Sequence, residues 1–311
     1  MIGFQYTLIF VADHCSAGMK VPAGNQTDND REKLMQNRKT TIILLISFFI
    51  GLSVLLYPAI SSYWNSKTQS EAIVDYEAML AAYKPEDYTS LFEQADRYNQ
   101  ELAALELPFE QQQELEEDYW EILDIDGTGM MGYLTVPKIS QELPVYHGTS
   151  EGVLGKAVGH FQGSSLPVGG KSTHTVVSAH RGLASAVLFT HLDRMEIGDT
   201  FYFTILDRTI TYEVDQIRIV EPDDSSLIQI EEGRDYCTLL TCTPYGINTH
   251  RLLVRGHQVD ASQQRNLYIA NEAYRVDTLI VMPFVALPII FVLLIYVMVA
   301  PVKKESLGED F

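Results

Sequence analysis

Two long runs without a single charged residue bracket most of this chain, and no other feature constrains its fold as strongly. They are Thr40–Ile60 and Thr278–Val302. As helices, both are long enough to cross a hydrocarbon layer of about 30 Å. Neither shows the one-sided apolar stripe of a helix packed on a soluble core. The second carries Pro283 and Pro288, which membrane helices tolerate better than soluble ones. Arg31, Lys33, Arg38 and Lys39 precede the first run, and Lys303 and Lys304 follow the second. Basic residues favour the cytoplasmic side, so both ends are expected inside the cell and the segment between them outside. A cleaved leader competes for the first run, but Tyr57-Pro-Ala-Ile-Ser-Ser offers no convincing small-x-small cleavage site. Two anchors are therefore expected.

This reading divides the chain into a cytoplasmic segment over 1–39, with Met19 and Met35 as alternative starts, and a transmembrane helix over 40–60. An extracellular helical region over 61–126 and a β domain over 127–260 follow. A linker over 261–277, a second transmembrane helix over 278–302 and a cytoplasmic tail over 303–311 complete it. In the helical region, apolar residues recur at Ile73, Tyr76, Leu80 and Tyr83, then at Leu91, Ala95, Tyr98, Leu102 and Leu105. Spacings of three and four make amphipathic helices, broken at Pro85 and Pro108.

From Gly127 onward, short β-branched and aromatic runs alternate with Gly, Pro and Asp turns. Strands are expected over 132–136, 143–146, 173–179, 200–205, 209–220, 236–241 and 251–259. Regular short strands with turn signals predict a mostly β domain, a barrel or a sandwich. One helix is expected inside it, over Ala184–Leu192. Asp124-Ile-Asp-Gly127 reads as an Asp-Gly turn, because the glycine and the closing acid of a calcium loop are both misplaced. No zinc spacing is present among the histidines and cysteines, and no metal or cofactor is expected.

The formal net charge is −19. A domain so acidic lacks the basic patches that nucleic acid requires, so nucleic acid is excluded as a partner. Three cysteines cannot form a disulfide framework. Cys237 and Cys242 lie five apart on one predicted strand, point to opposite faces and should not bridge each other. An unpaired thiol outside the cell suggests chemistry.

Cys242 ends its strand just before Pro244 and Gly246, and Arg251 opens the next one. If the two strands pair, thiol and guanidinium face each other at the mouth of the hairpin. A cysteine nucleophile also needs a group that assists its thiolate and a means of holding an oxyanion. Eight histidines compete for the first task, and spacing does not choose among them. His180 is the best candidate, since Thr175-Val-Val-Ser-Ala-His180 also ends a strand on a reactive residue. His250 is expected to point to the opposite strand face. His147, His160 and His174 fall near turns or strand starts, where structural histidines are ordinary. Arg251 and Arg255 both read equally well as surface strand cations.

Thr238-Leu-Leu-Thr-Cys242 with Arg251 downstream resembles the sortase signature, Thr-Leu-x-Thr-Cys followed by an arginine. Gly132-Tyr-Leu-Thr-Val-Pro-Lys-Ile139, Leu143–Ser150, Ser165–Gly170 and Ser178-Ala-His-Arg-Gly-Leu183 extend the likeness to class C sortases, the pilin polymerases. The resemblance covers nearly all of 127–258, and two membrane spans around an external domain suit that class. It implies an eight-stranded β-barrel, a Gram-positive host, Cys242 as nucleophile, His180 as proton donor and acceptor, and Arg251 as the oxyanion and substrate clamp. The implied reaction is transpeptidation. An LPxTG-like sorting signal is cut between Thr and Gly, and the pilin subunit passes to an acceptor lysine on the next pilin. The implied partners are thus pilins and the cell membrane. Anchoring of surface proteins to peptidoglycan, or an inactive sortase-like binding module, are the alternatives. Thr241 is expected to help position the substrate carbonyl. Class C members typically carry an Asp-Pro-aromatic lid before the barrel. The nearest match is Leu107-Pro108-Phe109, with Leu in place of the acid. A packed helix end is the other reading of Phe109.

Overall fold

The computed structural model describes residues 26–105, 109, 119–259 and 289–291, with backbone alone at 26–37, 85 and 86. Two units make up the chain: residues 1–53 with 291–311, and Val54–Ile290. Helix α1, Gln26–Leu80, carries the first uncharged run. Among the described residues it is the one helix long and apolar enough to cross a membrane. Its apolar side chains, Ile43, Phe49 and Val54 among them, stand exposed. Apart from helical residues 289–291, the expected second span lies outside the described residues, as do the linker and the tail.

Within the second unit, the end of α1 packs on the β domain through buried Ile73 and Tyr76. The Tyr76 hydroxyl donates to the Met131 carbonyl at 2.9 Å and accepts the Leu206 amide at 3.0 Å. Helix α2, Pro85–Ala103, starts at the predicted proline, whose missing N–H costs nothing in a first turn. It buries Phe92, Ala95, Tyr98 and Leu102 at three- and four-residue spacing.

Eight strands form a closed barrel. They are β1 (Met130–Val136), β2 (Gln141–His147), β3 (Val158–His160), β4 (Thr173–Ser178), β5 (Thr200–Ile205), β6 (Arg208–Val220), β7 (Asp235–Thr243) and β8 (His250–Val259). Their order around the barrel is β1-β2-β3-β4-β7-β8-β6-β5. The pairs β2–β3 and β4–β7 are parallel, and the rest are antiparallel. Inward positions alternate along each strand with period two. Val177, Cys237, Leu239, Leu252 and Val254 join Phe201, Phe203 and Tyr212 in the core. Each fully buried Phe or Leu contributes roughly 1.5–3 kcal/mol by leaving water.

Two expectations change. Strand β3 was not foreseen, because three residues are too few to show alternation. The helix expected over Ala184–Leu192 is absent: that segment turns and bends, and only Leu192–Arg194 forms a short 3-10 turn. Ala186, Phe189 and Leu192 recur at helical spacing because the segment folds them into the core. Leu188, at φ 41°, interrupts any helix there.

Candidate active site

The side chains that matter lie on the outer wall of the barrel, where β4, β7 and β8 run side by side. In β7, Cys237, Leu239 and Thr241 face inward, so Leu240 and Cys242 face out. Cys237 is buried, with its thiol pushed well up by burial, while Cys242 is partly exposed; both are free thiols. Directly opposite Cys242 on β8 is Arg251, and opposite Arg251 on β6 is Val220. Partners in register point to the same face. The hairpin therefore places Cys242 and Arg251 opposite each other on one face, as its sequence suggested.

His180 reaches the same end from the other side. Ser178, the last residue of β4, pairs with Leu240 of β7 in parallel register. The pairing continues one residue further, the Ala179 amide donating to the Leu240 carbonyl at 3.3 Å. Two steps beyond Ser178 and two beyond Leu240 give His180 and Cys242. Histidine, cysteine and arginine thus come from three adjacent strand ends. His180 Nε2 lies 3.4 Å from Oε2 of Glu151, whose side chain is 90% exposed, so the contact is weak.

The four other histidines weighed as candidates are accounted for. His160 is fully buried, with Tyr119 on Nδ1 and the Ser165 carbonyl on Nε2, each at 2.9 Å; burial pushes its pKa down to about 3. His174 lies between the Gln229 carbonyl and the Thr238 hydroxyl, with its pKa pushed down by burial to about 4. His147 is also held low by burial. His250 points away from the Cys242 row and lies 3.3 Å from Glu221. Arg255 forms a two-pronged pair with Asp215, 3.0 Å on each prong, and covers the Tyr236 ring. Asp215 is free to turn toward it because it occupies a bulge in β6.

Below Arg251 the outer wall opens into a cavity of about 330 Å³ lined by Leu240, Leu253, Phe161 and Phe109, with Asp223 and Asp224 on its rim. Phe109 stands edge-on to Phe161, centroids 5.7 Å apart. It therefore packs on the domain and lines the groove; Leu107 and Pro108 lie outside the described residues. The guanidinium of Arg251 is bonded to the carbonyls of Asn248 and His250. Among the described residues no carboxylate ion-pairs with it. A larger cavity of about 780 Å³, between α2 and Gly169–Thr173, lies at the opposite end of the barrel and contains none of these residues.

Thr241 differs from expectation. Its side chain faces inward, 1% exposed, and its hydroxyl donates to the Ala179 carbonyl at 2.8 Å. It ties β7 to the His180 segment and does not line the groove. Sequence reasoning also missed Arg181, whose side chain is 8% exposed. It bonds Asp193 at 2.7 Å and the Thr243 hydroxyl at 3.3 Å, joining the His180 segment to the end of β7.

Residues 134–259 match the model of the Sortase domain family. A solved sortase C1 from Streptococcus agalactiae is 49% identical, covering 61% of this chain and 98% of its own, at a TM-score of 0.60. The chain belongs to the sortase family, in class C. This sortase is also similar to a Clostridium perfringens sortase C solved with the C-terminal cell wall sorting motif. There the identity is 41%, the coverage 61% of this chain and 99% of that one, and the TM-score 0.54. Sortase D of Bacillus subtilis is 32% identical over 131 residues, 41% of this chain. The match spans 63% of that relative's length.

Proposed function

We propose that this class C sortase is a two-pass membrane protein with both termini in the cytoplasm, and that it joins pilin subunits through lysine isopeptide bonds. The observation that carries the reading is the outward-facing Cys242–Arg251 pair, beside the strand end that leads to His180 and above an apolar groove. A peptide laid in that groove presents its scissile carbonyl to a thiol, with a fixed cation where negative charge develops.

Cys242 attacks the carbonyl carbon of the Thr–Gly bond in an LPxTG-like signal, and Arg251 stabilises the oxyanion. The C–N bond breaks, His180 gives its proton to the leaving amine, and a thioester remains on Cys242. A lysine amine of the next pilin then attacks, its proton passes to His180, and the thiolate departs as the isopeptide forms. Water is the competing acceptor, so the groove must favour an amine over water. The likeness to a sortase solved with a sorting motif supports this substrate class.

The test is to incubate the full chain in detergent with a pilin carrying such a signal and to identify the products by mass spectrometry. A Thr-to-lysine isopeptide that disappears with Cys242→Ala supports the proposal. Linkage only to a peptidoglycan stem amine establishes wall anchoring instead. Product surviving Cys242→Ala overturns the mechanism.

A further inference from the structure

Helix α1 measures height along the barrel. Asn65 Nδ2 donates to the Ser185 carbonyl at 2.7 Å, and Gln69 Nε2 donates to the Lys156 carbonyl at 2.7 Å. Further along, Tyr76 bonds Met131 and Leu206. Ser185 belongs to the segment that follows His180, at the end where β4 and β7 terminate. Met131 lies at the start of β1, which runs toward that same end, so Met131 and Leu206 mark the far end. α1 therefore runs up the barrel wall, with its earlier residues at the catalytic end.

Asn65 lies five residues past Ile60, where the uncharged run stops, a rise of about 8 Å along a helix. A headgroup layer is roughly 5–8 Å thick on each side of the bilayer. Between them stand Tyr63 and Trp64, 71% and 67% exposed, the residue types that settle at membrane–water interfaces. A second exposed pair, Tyr245 and Ile247 at 59% and 68%, occupies the β7–β8 loop at the same end. The Tyr245 ring packs on Gly182, where a Cβ would come within 3.1 Å of it, and Gly182 lies three residues from Ser185.

We propose that the barrel stands on the membrane by its catalytic end, with Tyr245 and Ile247 seated in the lipid headgroup layer beside Tyr63 and Trp64. The partner surface is the lipid interface itself. Cys242 then works at the membrane surface, three residues from a side chain embedded in it. This rests on the reading that the run ending at Ile60 crosses the membrane.

Three full-chain variants in phosphatidylcholine–phosphatidylglycerol vesicles, with acyl chains brominated near the headgroup, test it. The first keeps Trp64 alone through Trp120→Phe. The other two carry Trp64→Phe and Trp120→Phe, with either Tyr245→Trp or Val74→Trp added. Val74 is exposed on α1, about 21 Å of helix rise beyond Ile60. Continued protection of the buried Cys237 from maleimide reports that each variant is folded. The expected result is that the Trp64 protein and the Tyr245→Trp protein lose emission to a similar degree, while the Val74→Trp protein keeps its own. If Trp64 is quenched and the Tyr245→Trp protein resembles the Val74→Trp protein, the proposal is overturned while the membrane span stands. If Trp64 is not quenched either, both fall.

Discussion

The hydroxyl of Thr241 donates to the backbone carbonyl of Ala179, so the residue before Cys242 is bonded to the residue before His180. Each of these two outward side chains is held by the neighbour that faces the other way. The inward residue of each strand end locks the register, and the outward residue is thereby aimed at the groove.

Thr241→Val keeps the shape and removes the donor, leaving the buried Ala179 carbonyl unpaired. Such a loss costs about 1–3 kcal/mol of stability. Because the bond sets the spacing of His180 and Cys242, kcat should fall by roughly tenfold with KM little changed. Thr241→Ser should retain most of both. Urea titrations and steady-state kinetics on a sorting-signal peptide check this. Equal kcat in Val and Ser variants would assign Thr241 to stability alone.

Phe109 walls the cavity that leads to Arg251, packed edge-on against Phe161. Removing the ring by Phe109→Ala uncovers the groove without touching Cys242. Thiol labelling by a neutral maleimide should accelerate several-fold, and a peptide substrate should bind with a lower KM. Labelling at the unaltered rate would leave Phe109 as a packing residue only.

Stability should fall on acidification, and the sign follows from three buried groups. His160 and His174 are held by burial at about 3 and about 4 in the folded chain. Below the ordinary histidine pKa of about 6.5, the unfolded chain therefore takes up protons that the folded one refuses. Asp235 acts in the opposite sense, since burial raises it from 3.8 to about 6. Between those values the folded state keeps a proton that the unfolded state has shed, and this favours folding as pH drops. Two histidines against one aspartate, with His147 adding to the histidine side, leave a net loss near pH 5 on the order of 1 kcal/mol per pH unit. Asp235→Asn removes the opposing group and should steepen that slope in urea titrations. An unchanged slope would show that Asp235 ionises in the folded protein as it does in the unfolded one.

How much of this was legible in the sequence depends on range. Cys242 and Arg251 sit on one hairpin, so strand ends and alternation were enough to predict that they face each other. His180 lies just past a strand paired in parallel with β7, a contact that local pattern cannot reveal; its strand-end position made it the best of eight histidines, and the resemblance assigned it the role. The inward turn of Thr241 follows from the alternation that sends Cys237 and Cys242 apart. Yet its acceptor, Ala179, is sixty-two residues away. The Ala184–Leu192 segment misled because core-facing side chains on an irregular loop imitate a helical period. The course of α1 along the barrel was not visible at all, since Asn65 and Gln69 are polar residues whose partners are backbone carbonyls.

The last prediction concerns Arg181, next to His180 in sequence. One nitrogen of its guanidinium bonds Asp193, another bonds the hydroxyl of Thr243, and its Nε is buried without a partner. The charge is compensated chiefly by Asp193, whose side chain is 48% exposed. Asp193→Ala leaves a nearly buried cation unpaired, but water can enter at the vacated site. The cost should therefore lie below that of a fully buried pair, at about 1–3 kcal/mol. Arg181→Met fills the same space with no charge to compensate. Adding it to Asp193→Ala should recover part of the lost stability, a coupling that a double-mutant cycle measures directly. Catalysis should not recover with it, because only arginine links the His180 segment to Thr243, the residue after Cys242. The double variant is thus expected to be stable yet slow, with kcat lowered and KM near the parent value. If kcat returned together with stability, the link to Thr243 would carry no catalytic weight.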